Sequence, residues 1–131
     1  PPDEVVRRTI VARQKSLWNE FFLYLDLESL IARDQDRKKE YEAESDEGRR
    51  RLIDRYRADL QTNVVDNDIA LQPYYFEVLE TRYTESKGFV SVLEKFQSGQ
   101  LRVVKEYSYE LHRRDGVWYI ADYVVFNKGT E

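Results

Sequence analysis

The sequence contains no cysteine, no methionine and a single histidine in 131 residues. Without thiols there are no disulfides, no thiol catalysis and no thiolate metal sites, and the redox compartment stays open. One histidine excludes a multi-histidine metal centre within a chain. There is no glycine-rich phosphate loop, no defensible Ser-His-Asp arrangement and no carboxylate cluster with calcium-loop spacing. The reading therefore calls for no cofactor and no metal. Charge of one sign is also missing, since 21 basic residues face 25 acidic ones for a net charge of −4. That balance leaves no basic footprint for nucleic acid or an anionic membrane surface. No apolar run approaches the length of a membrane span. A chain that starts Pro1-Pro2-Asp3 without methionine reads as a processed mature chain or an excised domain. A removed signal or lipoprotein leader fits, so an extracytoplasmic location is preferred to a cytoplasmic one.

What is present suits one folded domain spanning 1–131. Hydrophobic residues make up 41%, enough to bury a core and to argue against global disorder. Pro2 and Asp3 mark a helix start. Val6, Ile10, Leu17, Phe21 and Leu25 then recur at helical spacing, widened by Val5, Thr9, Trp18 and Phe22, with a break placed near Asp26. Residues 33–51 are mostly charged and read as a solvated helix face or a mobile connection, with a protein-binding arm as the alternative. Ser45-Asp46-Glu47 opens a further helix whose apolar face is Leu52, Ile53, Tyr56 and Leu60. The helical part is thus placed at 3–62.

From residue 73 the period changes from about 3.6 to 2, and 74–84, 89–97, 101–113 and 117–127 read as four strands. Asp115-Gly116 suits a two-residue hairpin with positive φ at both turn positions. Unbroken pairing from that turn sets Leu111 opposite Ile120, Tyr109 opposite Asp122 and Tyr107 opposite Val124. One face then carries Tyr107, Leu111, Trp118, Ile120, Val124 and Phe126 as the core side. The other carries Glu106, Glu110 and His112 with Tyr119, Tyr123 and Val125. A turn at Ser98-Gly99 adds Val90, Val92 and Phe96 to the core side.

Helices followed by a four-strand meander, closed by the hairpin Asp115-Gly116-Val117-Trp118-Tyr119-Ile120, resemble the nuclear-transport-factor-like superfamily with its cystatin-like cone fold. The resemblance implies an α+β fold with N-terminal helices packed on a curved four-stranded antiparallel sheet and a cavity between them. The superfamily holds ketosteroid isomerases and cyclases as well as non-catalytic binding domains, so it does not select an activity.

Tyr109 and Asp122, as cross-strand neighbours on the core side, are the catalytic candidates. A carboxyl desolvated beside a phenol makes a proton-donating pair of the ketosteroid-isomerase kind, though no separate carboxylate base can be placed. The plainer reading has Asp122 paired with an arginine. Trp18, Phe22, Tyr107, Tyr109 and Asp122 are the ligand-pocket candidates, with ordinary core packing the alternative for the aromatics. His112 falls on the polar side. Glu94 and Lys105 read as a structural ion pair. Tyr119, Tyr123 and Val125, apolar on the outer face, are the interface candidates for a homodimer or a protein partner. The sequence reading is therefore a non-catalytic domain binding a protein or a small apolar ligand, part of a larger bacterial protein. Its alternative is a cofactor-free isomerase or cyclase using Tyr109 and Asp122.

Overall fold

Proline at the second position starts the first helix, where its missing N–H costs nothing. The computed structural model describes residues 1–62 and 68–131. Helix α1 spans Pro2–Gln14, with Asp3 and Glu4 in its first turn. It stops well short of Asp26, although a short helix does begin at Asp26, where the apolar periodicity placed the break. Ser16 takes φ 56. Leu17 N donates to Ala12 O at 2.9 Å and Ser16 N to Arg13 O at 3.1 Å, a helix-ending pair of bonds. The chain then turns into α2 (Trp18–Leu23) and α3 (Leu27–Ile31). Asp26 caps α3 by accepting from Ser29 N at 3.2 Å and from the Ser29 hydroxyl at 2.7 Å.

The charged stretch is helical. In α4 (Gln35–Ala43), which Asp34 caps, no residue is buried. Helix α5 (Asp46–Thr62) starts where Ser45 accepts from Gly48 N, and it turns Tyr56 and Leu60 into the core. A 3-10 turn at Asp68–Ala70 leads to the sheet.

The sheet has four strands in the order β1 (Tyr75–Tyr83), β2 (Lys87–Ser98), β3 (Leu101–Arg114) and β4 (Val117–Thr130), each pair antiparallel. This is the α+β order, helices first and meander second, that the change of period predicts. Asp115 and Gly116 take φ 51 and 78, the left-handed pair that a right-twisted two-residue hairpin needs. The β2–β3 turn is centred one residue later than expected, on Gly99 and Gln100, so Val92 rather than Val90 faces Tyr107. Because the whole register moves by two, the core side of β2 is unchanged. Val90, Val92 and Phe96 are buried with Val6, Ile10, Phe21, Leu30, Leu60, Leu111 and Ile120. At Gly88 the start of α1 comes close enough that a Cβ would lie 3.0 Å from Pro2 and 3.2 Å from Trp118.

Three bulges interrupt the alternation, the last of them at Lys128 near the end of β4, where Val104 faces Gly129 but Lys105 faces Asn127. In β1, Val78 faces Val92 but Glu80 faces Ser91, which leaves Leu79 as an extra residue. In β4, Ile120 faces Leu111 but Asp122 faces Glu110, which leaves Ala121 extra. The second bulge lies where β4 is gripped from its outer edge. Leu25 bridges Ile120, Asp26 N donates to Ile120 O at 2.8 Å, and Ile120 N donates to Tyr24 O at 2.9 Å.

Candidate functional site

The β4 bulge corrects every assignment beyond Ala121. Tyr109 faces Tyr123, not Asp122, and Tyr107 faces Val125, not Val124. The catalytic pair is therefore not formed. Asp122 turns to the outer side and accepts from Arg33 Nε at 2.7 Å and from the Tyr123 amide at 2.8 Å. The arginine pairing is the one observed. Arg33 also donates to Tyr123 O at 2.9 Å, with its guanidinium 3.9 Å from the Tyr123 ring centre.

Tyr109 belongs to a different set. Arg13 donates to Ile69 O at 2.7 Å, to Glu94 Oε1 at 2.7 Å and to the Tyr109 hydroxyl at 3.1 Å. The Tyr109 hydroxyl in turn donates to Glu94 Oε2. Both oxygens of the carboxylate and the hydroxyl's two roles are used. Burial works against the charge on Arg13, and Glu94, Tyr109 and Tyr107 together outweigh it, so the guanidinium stays charged above its ordinary range. Burial also pushes the Tyr109 hydroxyl well up, opposed by Arg13 and reinforced by Glu94. Tyr107 stacks between Tyr109 and Tyr123, with centroids 5.5 and 6.3 Å away. The Tyr107 hydroxyl donates to Asp68 O at 2.7 Å, and the Tyr123 hydroxyl accepts from Ile69 N at 3.3 Å. Five polar side chains from α1 and three strands thus tie down the 3-10 turn. With every one of them bonded and sealed from water, none is free to take a proton from a substrate.

The expected pocket set is dispersed. Phe22 is buried and Trp18 half-buried; both pack on Phe21. Each borders a separate outer hollow, Trp18 beside Ser16 and Phe22 beside Arg57. Glu94 and Lys105 are opposite one another, but each takes another partner, Arg13 for Glu94 and Asp68 for Lys105, the latter at 3.0 Å. His112 is half-buried opposite Tyr119. Among the described residues no group of three or more His, Asp or Glu is placed to hold a metal, and no helix is long and apolar enough to cross a membrane.

The interface candidates are also redistributed. Tyr123 is buried, Val125 packs against the core, and Tyr119 is half-buried under Arg114. In their place Val124 and Phe126, assigned to the core by strict alternation, are each 52% exposed on the outer face. Beside them runs a groove of about 430 Å3 over Phe89, Ser108 and Val124, between Arg82 and Lys87 at one side and Glu110 and Asp122 at the other. Ser108 lies in its lining, and Ser91 faces Ser108 across the middle of the sheet. Arg82 is held by Glu80 at 3.0 Å and Asp122 by Arg33, while Glu110 has no ion pair among the described residues.

Sequence reasoning missed Arg13. Its signal was present: Val6, Ile10, Arg13 and Leu17 keep the helical spacing, and a charge stands where the stripe calls for an apolar residue.

The family model described as "Flagellar collar protein C, C-terminal domain" matches residues 3–131. The chain belongs to that family. No curated protein and no solved structure matches it.

Proposed function

We propose, from membership in that family, that the chain is a non-catalytic interaction domain that docks a protein partner in a flagellar collar through the outer face of its sheet. The observation that carries this reading is the exchange made by the β4 bulge. It takes Tyr123 and the polar groups around it into a closed interior and leaves Val124 and Phe126 in water beside a groove. A partner that fits presents apolar side chains to Val124, Phe126 and Phe89 and a basic group to Glu110, since burying that carboxylate unpaired is costly. The term C-terminal domain in the family's description supports reading the chain as part of a larger protein, with the extracytoplasmic location expected of it. The helices-then-meander order supports the nuclear-transport-factor-like cone as the fold's relationship. In this reading the cone is filled, and a small apolar ligand has no place between helices and sheet.

Phe126→Glu tests the proposal, introduced into the full-length protein in cells that build the collar. The variant is expected to fold and accumulate normally while the protein fails to join the collar. Normal incorporation would remove the outer face from the function. Turnover of a steroid-type ketone that disappears in Tyr109→Phe would replace the reading with the enzymatic one.

A further inference from the structure

The two edges of the sheet are treated differently. Strand β4 is covered at Ile120 and Tyr123 by the Tyr24–Asp26 segment and Arg33. Strand β1 pairs only with β2, and among the described residues no backbone hydrogen bond reaches Tyr75–Tyr83 from its far side. A nine-residue edge with Tyr75, Leu79 and Tyr83 exposed is a template for another strand unless its charges forbid pairing.

We propose that this edge pairs with the β1 edge of a second copy of the chain, antiparallel about a two-fold axis between Leu79 and Glu80. The register follows from the bulge. Phe76, Val78 and Thr81 face Glu94, Val92 and Val90 on the core side, and Tyr83 packs on Trp118 with ring centres 6.0 Å apart. Glu77, Glu80 and Arg82 face Leu93, Ser91 and Phe89 on the outer side. With the axis placed so, Phe76 stands opposite Tyr83 of the second copy and Val78 opposite Thr81, core side to core side. Glu77 stands opposite Arg82 on the outer side, and the two-fold makes that ion pair twice. The extra residues of the two bulges meet at the axis, so both faces stay in phase along the whole strand. A shift of one residue sets outer Tyr75 against core-side Tyr83. A shift of two sets Glu77 against Glu80. The charges on this edge, which ordinarily keep strands apart, are complementary in the one register that also keeps the faces aligned. The result is a continuous eight-stranded sheet. The inference is independent of the outer-face docking, although joining two sheets edge to edge sets two copies of that face side by side.

Sedimentation equilibrium of the 131-residue chain tests it, with Glu77→Arg and Arg82→Glu as variants. Both positions are exposed, and unchanged denaturant midpoints check that the fold is kept. Wild type is expected to be a dimer. Each variant replaces two opposite-charge contacts by two like-charge contacts and is expected to raise the dissociation constant about tenfold or more. An equal mixture of the two variants restores both ion pairs and is expected to dimerise like wild type. A wild-type monomer at every concentration reached overturns the proposal. So does a dimer indifferent to both charge variants, and if Phe126→Glu dissolves that dimer, self-association belongs to the outer face instead.

Discussion

Arg13 Nη2 and Glu94 Oε1 meet at 2.7 Å, with side chains 1% and 0% exposed, so an ion pair occupies the centre of an otherwise apolar core. Such a pair adds little over well-packed apolar residues, but removing one partner leaves a buried charge that nothing offsets. Arg13→Met is expected to cost about 3–5 kcal/mol, read from the denaturant midpoint. Tyr109→Phe removes one of the carboxylate's bonds and is expected to cost less, about 1–3 kcal/mol. Combining Arg13→Met, Glu94→Leu and Tyr109→Phe removes charge and hydroxyl together, and most of the loss is expected to return. A triple variant as unstable as Arg13→Met alone would show that the turn at Asp68–Ala70, not the carboxylate, suffers when Arg13 is lost.

The buried tyrosines give the fold an alkaline limit. Burial pushes Tyr56 up to about 12 and raises Tyr107 and Tyr109 well above the unfolded value of 10.0 as well. A folded value above the unfolded one means that the folded state keeps protons the unfolded chain gives up. Stability from this source is complete below pH 10 and falls as pH rises above it, first through the value for Tyr56. An alkaline titration followed by tyrosinate absorbance is expected to show Tyr56, Tyr107 and Tyr109 ionising only as the circular dichroism is lost. Smooth ionisation of all ten tyrosines in the folded state would contradict the sealed core.

The hairpin at Asp115-Gly116 yields a smaller effect. Gly116 takes φ 78, and no atom lies within 4 Å of the place a Cβ would occupy, so Gly116→Ala meets backbone strain and no clash. The expected loss is about 1–2 kcal/mol, the ordinary penalty of a left-handed L-residue, measured by the shift in thermal midpoint. No shift would mean that the turn changes type.

Much of the architecture is legible because period and turn chemistry are local. Pro2-Asp3, Ser45-Asp46 and Asp115-Gly116 each mark a boundary where the structure has one. The end of α1 was not legible, since Ser16 fills a position where glycine would have announced a stop. The Ala121 bulge was not legible either. It is fixed by Leu25 and Asp26, almost a hundred residues upstream, gripping Ile120, and no pattern within β4 records that contact. Because strand side chains alternate strictly, this one extra residue reversed the faces of Asp122 through Asn127, and with them the candidate site. The buried partners of Tyr109 went unseen for a related reason: Arg13 and Glu94 are 81 positions apart and meet only in the folded core.

That reversal can be tested on two residues of the same strand. Strict alternation from the hairpin puts Phe126 in the core and Tyr123 in water; the bulge does the opposite, leaving Tyr123 4% and Phe126 52% exposed. Tyr123 stacks on Tyr107, accepts from Ile69 N and lies under Arg33, so Tyr123→Ala removes a packed ring and orphans a buried amide. The expected cost is about 3–5 kcal/mol, comparable to Trp118→Ala on the same strand. Phe126→Ala is expected to stay within about 0.5 kcal/mol of wild type. Deleting Ala121 should be far milder than the first change, because removing the extra residue leaves Asp122 on the outer side and Tyr123 in the core. Denaturant midpoints of the three variants decide the matter. If Phe126→Ala is the costly substitution and the Ala121 deletion unfolds the domain, β4 runs without a bulge, and Tyr109 and Asp122 face each other after all.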